Sequence, residues 1–146
     1  MAHANPSDQE LRQLLTDATT IAIVGASSNA DKASYGIMQK LQQAGYRVIP
    51  VNPRETEILG ERSYPSLIDV PERIDIVDVF RRAEDTPGIA DDAVTIGAKA
   101  LWLQSDIVSA DAAARAKAGG LMVVMDACIG ATHSLLRIPR KTAGPN

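Results

Sequence analysis

Cysteine, histidine and aromatic residues are scarce in this sequence. Its 146 residues include a single cysteine and two histidines, and aromatic residues make up only 3%. One cysteine cannot form an internal disulfide framework, which is compatible with a reducing compartment. Cys128 and His133 alone do not supply the ligands of a structural zinc site, and His3 lies in the N-terminal lead. The few aromatic rings also argue against a surface that stacks nucleic-acid bases.

An excess of positive charge and a long apolar run are also missing. The formal net charge is −3, and no basic stripe with interleaved aromatic residues occurs. No stretch approaches the roughly 20 apolar residues of a membrane helix. The N-terminal sequence MAHANPSDQE contains no apolar signal core. We therefore expect a cytoplasmic protein whose partners are neither nucleic acid nor membrane.

A strand–loop–helix–strand unit near the N-terminus is the most informative pattern. Residues Thr19–Val24 are β-branched or apolar, as in a strand buried on both faces, and a second strand is expected over Tyr46–Val51. The helix between them is expected to begin at Ser34 as its N-cap and to end at Gly45. At Gly25 the chain must turn, and the missing Cβ allows a ligand to approach the backbone. We expect Gly25→Val to obstruct that ligand in a protein that still folds.

This unit lacks the signatures of the common nucleotide sites. The dinucleotide fingerprint G-x-G-x-x-G requires glycine where this chain has Ser27 and Ala30, and an acidic residue at the end of the second strand, where Asn52 stands. A P-loop sequence is also missing. The pattern therefore indicates a ligand with phosphates at a helix N-terminus, although not a typical NAD. An ordinary turn that binds no ligand remains the alternative.

The rest of the chain alternates strands and helices. A capping box at Ser7 and Glu10 predicts a first helix. Thr86 as N-cap and Pro87 at the first helical position predict a helix that ends near Gly97, and Ser109 caps an alanine-rich helix. A short helical turn is possible at Ser66 to Val70. Three further strands are expected at Ile74–Phe80, Ala100–Gln104 and Leu121–Met125.

These elements predict an α/β fold, a Rossmann-like doubly wound sheet of about five parallel strands with helices on both faces. A chain of 146 residues, 45% hydrophobic, is expected to form one domain over 1–146, with flexible ends at 1–6 and 139–146. Ligands of such sheets bind beyond the carboxyl ends of the strands, near the switch in strand order. Here those ends are Gly25 to Ser27, Asn52 to Arg54, Phe80 and Arg81, Gln104 and Ser105, and Asp126 to Cys128.

Six separated motifs occur in one order along the chain: IAIVGASS, YRVIPVNPR, Tyr64 to Leu67, IDIVDVFRR, ALWLQSDI and VVMDACI. Their combination, from about Thr19 to Leu136, resembles the small stand-alone CoA-binding protein family. That family is similar to the CoA-binding domain of the succinyl-CoA synthetase α subunit. The resemblance implies a Rossmann-like fold and coenzyme A, or an acyl-CoA, as cofactor and small-molecule partner. It implies a non-catalytic carrier, sensor or regulator.

The chain departs from the family pattern at two places on the predicted edge. The family usually has glycine where Asp106 stands, and commonly has arginine where this chain has Ala127. It also commonly shows a Glu-His pair where this chain reads Thr132 and His133. A carboxylate at Asp106 is expected to repel phosphates, and the loss of the arginine removes a possible anion partner. The sequence therefore supports the adenine and pyrophosphate contacts more strongly than the contacts to the pantetheine end.

Combined with the predicted strand ends, the resemblance gives a set of cofactor-binding candidates. Backbone N–H groups of the glycine loop are expected at the pyrophosphate, with a lysine in the same loop as a mobile charge. An arginine after the second strand is a candidate for the 3′-phosphate, and an aromatic residue and an arginine after the third strand are candidates to flank the adenine or the pantetheine. The full set is Gly25, Ala26, Ser27, Lys32, Asn52, Pro53, Arg54, Phe80, Arg81, Gln104 and Ile107.

Neither a catalytic constellation nor a metal site emerges from the sequence, and two other functions stay open. One is a small NAD(P)-dependent oxidoreductase, which the missing glycines and acidic residue disfavour. The other is a protein-interaction module that has kept the fold and lost the ligand. Cys128 has two interpretations: a thiol that forms a mixed disulfide with CoA, or a small buried apolar residue, which is the commoner case. The Cys128–His133 pair has no defined element between its members.

Overall fold

A computed structural model of the protein describes residues 3–142. Five parallel strands form the central sheet: β1 (Thr20–Val24), β2 (Arg47–Val51), β5 (Ile76–Val79), β6 (Ala100–Leu103) and β7 (Met122–Val124). Their order across the sheet is β2-β1-β5-β6-β7. The direction of winding therefore changes between β1 and β5. The predicted Rossmann-like α/β fold is confirmed.

Two apolar cores lie on opposite faces of this sheet. On one face pack α1 (Asp8–Asp17), α2 (Ala33–Gln43) and α5 (Ile129–Leu135), whose buried residues include Leu15, Met38 and Ile129. On the other face pack α3 (Thr86–Thr95) and α4 (Ala110–Ala118) through small residues such as Ala90 and Ala116. Because both faces are covered, the strands are continuous apolar runs rather than alternating ones.

Two of the predicted helix caps are confirmed and two are wrong. Ser7 forms the full capping box with Glu10, and the Ser109 hydroxyl accepts from the Ala112 N–H group at 3.0 Å. Ser34, in contrast, lies inside the first turn of α2, whose N-cap is Lys32. Thr86 is the first residue of α3, and its hydroxyl donates backward to the Ala83 carbonyl at 2.7 Å, in the 3₁₀ turn that precedes the helix.

Two elements are present that the sequence did not predict. The short helical turn predicted at Ser66 to Val70 is confirmed as a 3₁₀ turn at Leu67–Asp69. The first unpredicted element precedes it in the connection after β2 and is a two-stranded hairpin, β3 (Glu57–Ile58) and β4 (Glu61–Arg62). Leu59 and Gly60 form its tight turn with φ of 49° and 79°, the backbone that two-residue hairpin turns favour. The second missed element is α5, which begins directly after Cys128.

Residues near both ends of the described chain contact the rest of the fold, and the flexibility expected for 1–6 and 139–146 stays a prediction. The Asn5 side chain donates to the Met125 carbonyl at 2.8 Å and accepts from the Met125 N–H group at 2.9 Å. Near the other end, the Lys141 N–H group donates to the Ala44 carbonyl at 2.8 Å. Residues 1–2 and 143–146 lie outside the described part. Within residues 3–142, the helices are too short or too polar to cross a bilayer.

Two carboxylates, one just before β5 and one within it, lie in opposite environments. Asp75, just before β5, accepts hydrogen bonds from the Thr19 and Thr20 N–H groups at 2.9 and 3.1 Å. Burial alone would raise its pKa, but those bonds hold the pKa of Asp75 below its usual value. Asp78 lies in register between Ile23 and Trp102. It is fully buried, and neither of its carboxyl oxygens has a hydrogen-bond partner among residues 3–142.

The burial of Asp78 links stability to pH. Burial raises its pKa well above the usual range, so the folded protein keeps a proton that the unfolded chain releases above about pH 4. Because the folded state binds more protons, its stability falls as pH rises, by up to about 1.4 kcal/mol per pH unit, until the folded pKa is reached.

We predict that Asp78→Asn, which cannot ionise, flattens this dependence. Urea unfolding between pH 5 and pH 8 should show the parent protein losing stability with rising pH while the variant changes less. Asp31→Asn, in the exposed loop after β1, makes the same substitution at a carboxyl group that solvent reaches in the folded protein, and is the control. Parallel curves for the parent and the Asp78 variant would show that Asp78 ionises equally in the folded and unfolded states.

Candidate functional site

The carboxyl ends of β1 and β5 meet where the sheet changes its winding direction. Gly25 follows β1, and Phe80 and Arg81 follow β5. The Phe80 N–H group donates to the Val24 carbonyl at 2.8 Å, and the Gly25 N–H group donates to the Val51 carbonyl at 3.0 Å. These bonds extend the sheet by one residue into the loops. The three loops after β1, β2 and β5 are thereby fixed side by side at the position where open α/β sheets bind ligands.

The backbone around residue 25 requires glycine, whether or not a ligand binds there. Its φ is +90°, and a Cβ at this position would lie 2.4 Å from the Phe80 carbonyl oxygen. No neighbouring side chain can rotate away to relieve that contact, because the clashing atom belongs to the backbone. The expectation that Gly25→Val leaves a normally folded protein is therefore wrong, and that variant cannot separate loss of ligand from loss of structure.

Asn52 fixes the glycine loop against the end of β2. Its amide nitrogen donates to the Ala26 carbonyl at 2.7 Å, and its amide oxygen accepts from the Arg54 N–H group at 2.8 Å. Asparagine is common in turns of this kind because its side chain bonds the backbone two residues on. With both ends of the amide engaged, Asn52 positions the loop. It stands where dinucleotide-binding folds place a ribose-binding carboxylate.

The N-terminus of α2 is open toward this loop. The N-cap residue Lys32 provides no side-chain hydrogen bond, unlike Ser7 at α1 and Ser109 at α4. The first N–H groups of a helix have no acceptor within it, and together with the helix dipole they favour an anion. One loop donor is already engaged, since the Ser28 N–H group donates to the Glu55 carboxylate at 2.9 Å.

Three adjoining cavities follow the carboxyl edge of the sheet. The β2 cavity, about 290 Å³, lies between the end of β2 and α3 and includes Val51, Pro53, Ser66, Leu67 and Ile89 in its walls. The loop cavity, about 330 Å³, is lined by the glycine loop and the start of α2, with Ala26, Ser27, Lys32 and Ser34. The α2–α5 cavity, about 680 Å³, includes Gly36, Ile37, Gln104, Ile107 and Cys128.

Shared walls join these cavities in a row. The β2 cavity and the loop cavity share Gly25 and Asn52, and the loop cavity and the α2–α5 cavity share Ala33 and Phe80. Arg81 lines all three. Its half-exposed guanidinium lies 3.2 Å from the Asp85 carboxylate, which is a weak pair in solvent. The cation is therefore available to an anion in any of the three cavities.

The sequence-predicted residues divide into those that line this row and one that does not. Arg54 is exposed and lies outside the walls of the three cavities. The others line at least one cavity: Gly25, Ala26, Ser27, Lys32, Asn52, Pro53, Phe80, Arg81, Gln104 and Ile107. Phe80 is partly exposed rather than a core residue. Contact of each residue with a ligand stays a prediction.

Sequence reasoning missed the contribution of α2 to the site. Ala33, Gly36 and Ile37 face the α2–α5 cavity, and they follow the i, i+3, i+4 spacing of one helical face. That spacing was available in the sequence, but two of these positions are small residues that do not stand out as an apolar stripe. Ser66 and Leu67 were noted as part of a motif but not as lining residues.

Cys128 and His133 belong to one helix but do not form a pair. Cys128 is the N-cap of α5, where its sulfur accepts from the Ala131 N–H group at 3.5 Å, and it is partly exposed to the α2–α5 cavity. His133 is buried on the core side with its ring edge-on to Tyr46. Burial, and then the charges of Lys40 and Lys141, lower the pKa of His133. Within residues 3–142, histidine, cysteine and carboxylate side chains form no cluster of three or more that could hold a metal ion.

Asp106 does not face the three cavities. It adopts φ +67°, and its N–H group donates to the Asp126 carboxylate at 2.7 Å. Neither aspartate lines the β2, loop or α2–α5 cavity, so the expected repulsion of phosphates by Asp106 has no support in this geometry.

Comparison with known proteins identifies the family of this chain. The family described as CoA binding domain matches residues 19–134, and the chain belongs to that family. It is 38% identical over 133 residues to the uncharacterized protein YneT of Bacillus subtilis, covering 91% of this chain and 98% of that protein. A solved structure of a hypothetical protein from Pyrococcus horikoshii superposes with a TM-score of 0.88 at 34% identity, covering 94% of this chain and 99% of that one.

The chain also resembles one segment of much longer proteins. It is 30% identical over 82 residues to an ADP-forming acetate–CoA ligase of Archaeoglobus fulgidus, which covers 55% of this chain but 12% of the ligase. The matched segment is thus a small part of that enzyme.

The Gly25 contact gives a prediction about folding stability without ligand. Gly25→Ala should lower the free energy of unfolding by about 1–3 kcal/mol, because it forces a side chain into a left-handed backbone against a carbonyl. Gly36→Ala is the matched control: its Cβ meets nothing within 4 Å, and alanine in a helix should stabilise by up to about 1 kcal/mol. Urea unfolding measures both. Equal midpoints for Gly25→Ala and the parent would show that the contact does not constrain the fold.

Proposed function

We propose that the protein binds coenzyme A, or an acyl thioester of it, along the carboxyl edge of the sheet, as a non-catalytic carrier, sensor or regulator. The observation that carries the proposal is the row of three cavities with Arg81 in the wall of each. Coenzyme A is itself a row of three parts: a nucleoside with a 3′-phosphate, a pyrophosphate and a pantetheine arm. Membership of the CoA binding domain family supports the same ligand.

The chemistry of each cavity supports one direction for the ligand. In related sheets the ribose lies at the end of the second strand, which supports the β2 cavity, beside Pro53 and Leu67, as the position of the adenosine. The pyrophosphate then meets the uncapped N-terminus of α2, with Lys32 and Arg81 as cations. The pantetheine arm extends into the α2–α5 cavity, which has apolar walls at Ile37 and Ile107. Arg54, next to the turn made by Asn52, remains a candidate for the 3′-phosphate.

Two features favour this assignment over a nicotinamide dinucleotide oxidoreductase. A carboxylate that would accept from the ribose hydroxyls is replaced by Asn52, whose amide already bonds Ala26 and Arg54. The polar groups of the α2–α5 cavity are Arg81, Arg82, Gln104, Ser105 and Cys128, and the nearby helix α5 holds His133 against Tyr46 instead. Among residues 3–142, the walls of this cavity contain neither a histidine nor a carboxylate, which supports a binding role.

The first functional prediction concerns ligand identity. Calorimetric titration should show CoA binding at least about tenfold more tightly than NAD, a difference of about 1.4 kcal/mol. Arg81→Gln should lower the affinity for CoA about tenfold or more relative to the parent protein, because a hydrogen bond from a cation to a phosphate contributes about 1.5–3 kcal/mol.

Arg73→Gln provides the matched control for that titration. Arg73 lies at the opposite edge of the sheet, beside Thr20 and Asp75, and its substitution removes the same charge. It should leave CoA affinity within about twofold. Equal affinity for CoA and NAD would contradict the proposal, and binding of neither would favour a protein-interaction module instead.

The second prediction concerns Cys128. Cys128→Ser should leave CoA affinity within about threefold, below roughly 0.7 kcal/mol, because serine is a strong N-cap and preserves the start of α5. We expect incubation with oxidised CoA to add CoA to the parent protein only slowly, as followed by intact-mass spectrometry. Rapid addition of one CoA per chain, absent in Cys128→Ser, would contradict this prediction and indicate a redox sensor.

A further inference from the structure

We infer that the α2–α5 cavity receives the acyl group of a CoA thioester, and that short apolar acyl-CoAs bind more tightly than free CoA. The inference rests on the proposed function and adds to it the class of ligand and the residue that limits its size. It begins from an imbalance of volume: this cavity measures about 680 Å³, and the β2 cavity assigned to the adenosine measures about 290 Å³. Pantetheine has about as many non-hydrogen atoms as adenosine. The pantetheine arm therefore leaves space in the larger cavity.

The walls of that space suit an apolar group. Ile37, Phe80 and Ile107 line it with partly exposed apolar side chains, and ligand cavities of this kind take most of their affinity from apolar burial. A free thiol would leave these walls in contact with water. An acyl chain that covers them gains up to roughly fourfold in affinity for each buried methylene.

Gln104 supplies a polar group suited to a thioester carbonyl. Its amide oxygen accepts from the Ile129 N–H group at 3.0 Å, which fixes the orientation of the amide, since only the oxygen can accept. The other end of the amide is an NH₂ group, which is a donor, and the buried Gln104 side chain lines the cavity. The structure thus holds a hydrogen-bond donor at the cavity wall. A thioester carbonyl accepts such a bond better than a thiol does.

Gly36 controls how much room the acyl group has. It lies on the face of α2 that lines the cavity, and a Cβ built there meets nothing within 4 Å. The first carbon of a side chain at this position therefore enters open space at the cavity wall. This makes Gly36 the residue at which the cavity can be filled selectively.

The test measures the affinities of CoA, acetyl-CoA and butyryl-CoA by calorimetry for the parent, Gly36→Ala and Gly36→Leu. For the parent we expect affinity to rise from CoA through acetyl-CoA to butyryl-CoA, with at least a tenfold span. The affinity lost through Gly36→Leu should be at least tenfold greater for butyryl-CoA than for CoA. The loss through Gly36→Ala should lie between those of the parent and Gly36→Leu. Gly88→Leu is the control, because Gly88 is a helical glycine with equally open surroundings in α3 and lines none of the three cavities. It should not change the order of affinities.

The outcomes separate this inference from the proposed function. If CoA and both thioesters bind the parent equally, or if Gly36→Leu weakens all three equally, the acyl site is wrong while CoA binding stands. If none of the three binds the folded parent, the proposed function itself fails. Should Gly36→Leu not fold, the smaller graded loss in Gly36→Ala, specific to butyryl-CoA, decides the question.

Discussion

The contact between Gly25 and the carbonyl of Phe80 is the constraint on which the edge of the sheet depends. A Cβ at residue 25 would come within 2.4 Å of that oxygen, so β1 and β5 can leave the sheet side by side only because residue 25 has none. Phe80 is bonded to Val24 through its own N–H group, and it separates the loop cavity from the α2–α5 cavity. A glycine that would ordinarily be explained by a ligand is thus needed first to bring two backbones together.

The strands and most helices could be predicted because their signals are local. A buried parallel strand is a run of β-branched and apolar residues, and Ser7 and Ser109 begin their helices by a side-chain bond three residues on. The elements that were missed carry no such signal. The N-cap of α5 is a cysteine, an uncommon cap, and the hairpin turn places Leu59 at φ 49°, where glycine or asparagine is usual.

The part of the candidate site at the strand ends could be predicted from the sequence, and the part that depends on helix packing could not. The carboxyl ends of parallel strands meet at one edge whatever their side chains are, so Gly25, Asn52, Phe80 and Gln104 could be placed together from the sequence. The α2–α5 cavity is lined by α2, the loops after β5 and β6 and the N-cap of α5. The position of α2 against α5 is held by core packing and by bonds such as the one from the Lys40 ammonium to the Gly130 carbonyl at 2.8 Å. A periodic pattern contains no information about it.

The substitution at Asp106 shows why a departure from a family pattern has to be judged by backbone conformation. The family resemblance predicts glycine at this position, and φ +67° is a backbone that glycine adopts readily. Aspartate is among the few other residues that adopt such a backbone, because its short polar side chain tolerates it. Here the Asp106 N–H group donates to Asp126, whose own N–H group donates to the Ile107 carbonyl at 3.2 Å. The two loops after β6 and β7 therefore brace each other and hold Ile107 at the wall of the α2–α5 cavity. Asp106 therefore adopts the left-handed backbone expected of a glycine and carries its negative charge outside the three cavities.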